Sequence, residues 1–311
     1  MARRLGFKQN VIVGAEPTYG IGETITAYPT SSTVHQDITL TYDNSIEKVE
    51  TPLRNGTLEV SECETRTGRY SGTISLTGDF TEQKAEWLLR GILADNTLTD
   101  ATAYVIQPKM NATTYSHVIM AYDMETTKAD IYYGCVMSDL TINKDGDKWA
   151  FTANYRFKDV RRETAISVWS TSPTAVCEVP FVWSGSVFTG TLGLLTANIL
   201  EYSVTLTNTF APDDSLYGPS ATKLRDLITK TTGILTAKYL YDDALDLEDL
   251  ILEESYTSQV AFNSSTMLVN CKLETCAKTD DIASEFVGDL TGMLVKSTAS
   301  LAFSFDYTAT A

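Results

Sequence analysis

The chain runs to 311 residues, of which 43% are hydrophobic and 21% charged, ordinary globular usage that excludes disorder as its general state. Its formal net charge of −16 divides into −6 over residues 1–160 and −10 over 161–311. A field of that sign in both halves repels phosphate backbones and excludes conventional nucleic-acid binding.

No stretch approaches the roughly 20 apolar residues of a membrane helix. The positive start, Met1 to Lys8, is followed by no apolar run and does not read as a secretory signal. Five scattered cysteines are too few for a disulfide framework in a chain this long and point to a reducing cytoplasm. The length exceeds the usual single core and suggests two domains of about 130 to 160 residues. Plentiful Thr and Tyr with little Pro favour strands, because branched and aromatic side chains fit a pleated, half-buried surface.

Residues 1–33 carry Gly6, Gly14, Gly20, Gly22, Pro17 and Pro29 among short apolar pieces and read as an extended arm with little regular structure. A strand pattern follows, with Ile38, Leu40 and Tyr42 on one face, and Asp43-Asn44-Ser45 offers a turn. The polar residues 43–56 read as a long projecting hairpin loop, and residues 57–65 as its return strand. Thr73 to Asp79 alternates as a strand. Asp79 or Thr81 can cap the helix that begins at Glu82, in which Ala85, Leu88, Leu89, Ile92 and Leu93 form one apolar stripe suited to packing on a sheet.

Short strand candidates fill residues 97–133. Tyr132 to Ile142 then leads to the Asp145-Gly146 turn, a strong hairpin signal, and the partner strand sets Trp149, Phe151, Ala153, Tyr155 and Phe157 on one face. The charge cluster and Ser/Thr/Pro stretch over 161–180 read as a linker. Beyond it, Glu201 to Thr207 is a strand, residues 211–232 hold a short helix candidate, and Thr236 to Asp242 feeds a helix pattern over 244–252.

These two halves echo one another. Thr73 matches Thr236 at an offset of 163, Ile38 matches Val204 at 166, and the final alternation of Leu301, Phe303, Phe305 and Tyr307 parallels Trp149 to Phe157. The division is therefore an arm (1–33), a β domain (34–160), a linker (161–180) and a second β domain (181–311).

A search for catalytic or metal chemistry finds little. Only His35 and His117 are present, far apart and in strand settings. Cys271 and Cys276 lack a second pair for zinc. The acids between Asp242 and Glu254 lack the glycine and spacing of a calcium loop and read as a solvated helix face. Gly20-Ile21-Gly22 is too short for a dinucleotide fingerprint. The residues imply no enzyme, cofactor or metal.

The order of parts resembles the major tail tube proteins of long-tailed bacteriophages. The residues that carry the resemblance are Ser71 to Gly78 feeding a helix that ends in Trp87 to Leu93, then Tyr133 to Ile142, then Ser203 to Asn208. The resemblance implies a mainly β fold, a sandwich or part-barrel with a flanking helix in each domain. It also implies subunits in rings that stack into a hollow tube in the virion, built in the host cytoplasm, touching tape measure and tail terminator or baseplate proteins and passing phage DNA without binding it. Six domains around the axis would need rings of three chains if both halves line the channel, or rings of six if the second decorates the outside.

On this reading Glu59, Asp79, Glu201 and Asp306 are candidate channel-facing acids by strand parity. Asp43, Asn44, Glu47, Lys48, Glu50, Arg54 and Asn55 belong to a candidate inter-ring loop, and residues 1–33 add to ring contacts. Leu88, Leu89, Ile92 and Leu93 pack the helix on its domain. A β-rich surface adhesion module is the alternative.

Overall fold

The computed structural model describes residues 9–16, 19, 33–35, 37–50, 65–93, 104–106, 116–123, 128–163, 179–190, 199–211, 228–240, 256–262, 265–279, 287–295 and 303–307. They form a mainly β protein. In chain order the elements are β1 (Gln9–Ala15), β2 (Thr33–His35), β3 (Thr39–Glu50), β4 (Thr65–Asp79), α1 (Glu82–Leu93), β5 (Tyr104–Ile106), β6 (His117–Asp123), β7 (Lys128–Asp145), β8 (Lys148–Phe157), β9 (Asp159–Glu163), β10 (Val187–Gly190), β11 (Ile199–Phe210), β12 (Ile228–Leu240), β13 (Tyr256–Ala261), β14 (Ser265–Thr279), β15 (Val287–Leu294) and β16 (Phe303–Tyr307).

Period-two patterning makes β8 as expected. Trp149, Phe151, Ala153, Tyr155 and Phe157 are buried while the residues between them are half exposed. Gly146, with φ of +61°, supplies the turn from β7 to β8, a backbone conformation that side chains with a Cβ resist. Helix α1 starts at Thr81, whose Oγ1 accepts a hydrogen bond from the Lys84 amide at 3.2 Å. Its stripe, Leu88, Leu89, Ile92 and Leu93, is buried, and each such side chain stabilises the fold by roughly 1.5–3 kcal/mol. Lys84 is buried beside the stripe, where its ammonium pairs with the Asp37 carboxylate and donates to the Asp79 carbonyl at 3.0 Å.

Two layers share one long strand. The first part of β7 lies between β6 and β9, and its second part lies between β8 and β11. The change falls at Gly134, with φ of +60°, where the register against β6 slips between Tyr132 and Cys135. A Cβ there would lie 2.8 Å from the Lys158 Cβ, so the bend requires glycine.

Residues 9–163 and residues 187–307 follow the same pairing plan. In the first run the neighbours are β1-β6-β7-β8-β4-β3, with β9 also on β7; in the second they are β10-β13-β14-β15-β12-β11, with β16 also on β14. Two buried cysteines, Cys135 and Cys271, occupy matching rungs. This alignment corrects the sequence match in detail. Ser75, not Thr73, corresponds to Thr236, and Tyr42, not Ile38, to Val204. The partner of β8 in the second run is β15, whereas β16 corresponds to β9.

Three further expectations change. Gln9–Ala15 is not a loose arm but a strand between β2 and β6, with Val11, Ile12 and Val13 buried. Asp43-Asn44-Ser45 is not a turn, since β3 runs through it to Glu50 in register with β4. Arg161, Arg162 and Glu163, placed in the linker, pair with β7 as part of β9. The helix candidate over 211–232 ends in strand, since Ile228 to Thr232 begin β12 and pair with β11; its residues 212–227, the helix pattern over 244–252 and residues 51–64 lie outside the described residues.

Candidate assembly surface

Joining the ladders gives one eight-stranded antiparallel path, β3-β4-β8-β7-β11-β12-β15-β14, that runs through both halves of the chain. Strand parity gives it two unlike faces. One face buries Ile74, Leu76, Phe151, Leu140, Ile142, Val204, Leu206 and Leu235 in a common core. The other carries mostly short polar groups, among them Ser75, Thr77, Thr152, Asn154, Thr141, Asn143, Ser203, Thr205 and Thr236, each at least partly exposed, together with the exposed apolar pair Ile234 and Met293 in the row of Thr205.

The halves join where β7 meets β11, with Leu206 opposite Leu140 and Val204 opposite Ile142 on the apolar side. On the polar side the Thr141 and Thr205 hydroxyls lie 3.0 Å apart. Asn208 clips the joint from within. Its buried Nδ2 donates to the Ile92 carbonyl at the end of α1 (2.9 Å) and to the Met137 carbonyl of β7 (3.0 Å), while its Oδ1 accepts from Thr231 Oγ1 at 2.6 Å. Nothing local in the sequence names the partners of Asn208, because all three are distant along the chain. A buried polar residue in an otherwise alternating apolar strand was the available signal.

The four candidate acids separate. Asp79 and Glu201 share the polar face, for Asp79, Ala150, Asn143 and Ser203 form one cross-strand row and Glu201 sits two positions along β11. Each has a lysine partner, Lys148 at 2.9 Å from Asp79 and Lys238 at 3.9 Å from Glu201. The hydrogen bond and charge of Asp79 raise the pKa of Lys148. Both pairs are partly exposed, so each adds little to stability, but together they make this face mixed in charge where the sequence suggested acid alone. Glu201, Lys238 and Asp289 also border an open groove of about 550 Å³ over β7, β11, β12 and β15. Asp306 lies on β16, opposite Thr266 and Val105 and off the eight-stranded path, with its pKa raised by burial. Glu59 lies outside the described residues.

Of the candidate loop residues, Asp43 and Asn44 are exposed on β3, Glu47, Lys48 and Glu50 continue that strand, and Arg54 and Asn55 fall outside the described residues. Leu88, Leu89, Ile92 and Leu93 do pack α1 into the core.

His35 and His117 are both buried against Trp87, with ring centroids 5.6 Å and 6.1 Å from the indole. Burial, helped by the Arg90 charge, lowers the His117 pKa to about 3, so the ring is neutral at ordinary pH. Burial pushes the Cys271 thiol up to about 12, which removes its thiolate chemistry. Among the described residues no group of three or more His, Cys, Asp or Glu is placed to hold a metal ion, and no helix is long and apolar enough to cross a membrane.

Core, joint and open sheet define a β-structural building block. A family model described as phage tail tube protein matches residues 13–270, and the chain belongs to that family. It is a structural tail tube protein of the virion. A comparison with curated proteins gave no match.

Proposed function

We propose that the two runs of strands, 9–163 and 187–307, are two tube domains joined by the residues between them, and that both line the channel. Three chains then supply six units to a ring, and rings stack into the tube. The observation that carries this reading is the single sheet through both halves with one mainly polar face, interrupted only at Ile234 and Met293 among the described residues. A conduit for DNA needs a wall that the phosphate backbone does not grip. Short hydroxyl and amide side chains with lysines held by carboxylates provide one, and the overall charge of −16 adds repulsion.

Tube assembly takes place in the host cytoplasm, with tape measure and terminator or baseplate proteins meeting the tube inside and at its ends, and DNA leaves through it on ejection. The β3–β4 hairpin, including Glu47, Lys48, Glu50, Arg54 and Asn55, reaches the neighbouring ring. Electron microscopy of the purified protein over a concentration series tests the reading. Hollow tubes with a regular axial repeat are expected; a monomer at every concentration that instead adheres to cell surfaces would favour an adhesion module.

A further inference from the structure

The polar face of the long sheet is broken at one place. A row of threonines running through Thr77, Thr141 and Thr205 continues into Ile234 of β12, Met293 of β15 and Lys272 of β14. Ile234 is 46% and Met293 42% exposed, and the two stand directly opposite one another on neighbouring strands. Lys272 is exposed beside Met293. Lys230, also exposed, shares the face of β12 that carries Ile234, about 13 Å along the strand.

The charges here are not held as they are elsewhere on the face. Lys148 and Lys238 are paired with Asp79 and Glu201, whereas among the described residues Lys230 and Lys272 are in no ion pair. Glu274, the next acid along β14, stands at the register shift between Leu273 and Thr275. A chain with a net charge of −16 thus keeps two unpaired cations beside two exposed apolar side chains.

The first run does not repeat this patch. Its matching rungs hold Thr73 in place of Ile234 and Arg156 in place of Met293, and the Arg156 guanidinium lies over the Phe210 ring, 5.0 Å from its centroid. The wall therefore carries the patch once per chain. Core packing does not account for it, because the pair stands on the wet face of the sheet. A wall that only repels DNA does not need it either, since free lysines attract phosphate.

We propose that Ile234 and Met293, flanked by Lys230 and Lys272, form a docking site on the channel wall for a protein helix with an apolar stripe bordered by acids, which occupies the channel before DNA passes. This rests on the tube reading above and gives its wall a partner of defined chemistry. Residues three or four apart on a helix stand about 5–6 Å apart, close to the separation of directly opposed residues on antiparallel strands. One apolar pair of the helix therefore covers Ile234 and Met293 together, and acids beside the stripe meet the lysines. Duplex DNA fits less well, because its phosphates satisfy the lysines and leave both apolar side chains in water. Each site is small and its contact weak, but repetition from ring to ring holds an extended occupant while every single contact still breaks readily.

Tubes assembled in the presence of a fluorescent peptide test the site. The probe is a helix with leucines at i, i+3 and i+4 spacing bordered by glutamates, and a control peptide carries lysine at each glutamate position. The acidic probe should sediment with tubes of the unmodified protein, less so as salt rises. Ile234→Ser combined with Met293→Ser should weaken its binding about tenfold. Lys230→Gln combined with Lys272→Gln should abolish the salt dependence, and Thr73→Ser at the matching rung of the first run should change nothing. Equal binding of the control peptide, or undiminished binding to the Ser double variant, would overturn the site and leave the tube reading intact. Tubes that ignore the acidic probe but retain duplex DNA through Lys230 and Lys272 would assign the patch to DNA instead. The same probe fixed to beads wider than the tube should not bind; bead binding lost in the Ser double variant would put the patch on the outside and contradict the channel reading itself. Failure of the unmodified protein to form tubes would overturn both.

Discussion

β3 and β11 stand at the same rung of their runs and have opposite surroundings. Tyr202, Val204 and Leu206 of β11 are buried; at the matching rungs Leu40 of β3 is half-buried and Tyr42 and Asn44 are exposed. The difference follows from their neighbours. β11 has β7 and the end of α1 fixed against it within the chain, so its sequence can be apolar; β3 has no such permanent neighbour among the described residues and must tolerate water. A strand's composition thus records whether its second edge is filled within the chain.

That contrast breaks most visibly under a buried charge. Leu206→Asp places a carboxylate in the joint opposite Leu140 and should cost about 3–5 kcal/mol in chemical denaturation, whereas Asn44→Asp at the matching rung of β3 should change stability by less than about 0.5 kcal/mol. Equal losses would mean that the two strands are not in different environments. Acid should expose the core of the first run next. His117 is neutral in the fold, with a pKa of about 3 against an ordinary 6.5, so the unfolded chain binds the extra proton. Its contribution is complete above pH 6.5 and is lost as pH falls toward 3, about 2 kcal/mol by pH 5. His117→Leu should flatten the fall in denaturation midpoint between pH 6.5 and 5, and an unchanged slope would contradict this origin.

Removing the clip sharpens the comparison. Asn208→Ala leaves the Ile92 and Met137 carbonyls without its amide and should cost about 1–2 kcal/mol, with faster exchange in β11 and the last turn of α1. Thr141→Val removes only one hydroxyl of the Thr141–Thr205 pair, half exposed on the polar face, and should cost about 0.5–1 kcal/mol or less by thermal melting.

Where one face was buried and the other wet, the fold was legible in the sequence. β8, the Asp145-Gly146 turn and α1 with its stripe follow from period and turn chemistry alone. β1 was missed because both its faces are covered: Val11 and Val13 point into the main core and Ile12 into a second cluster with Met120 and Ile131, which erases the alternation. β3 was cut short for the opposite reason, since Asp43, Asn44 and Ser45 have the composition of a turn when a strand is exposed on both sides. Asp79 and Glu201 were placed on a common face by parity, but their lysine partners on β8 and β12 depend on strand register and could not be read locally. The partners of Asn208 lay beyond reach for the same reason.

The symmetry of the assembled tube, determined by electron cryomicroscopy, tests the central claim most directly. The account expects three chains in each ring and residues of both runs on the channel wall. Six chains in each ring, with residues 181–311 projecting outward, would contradict it.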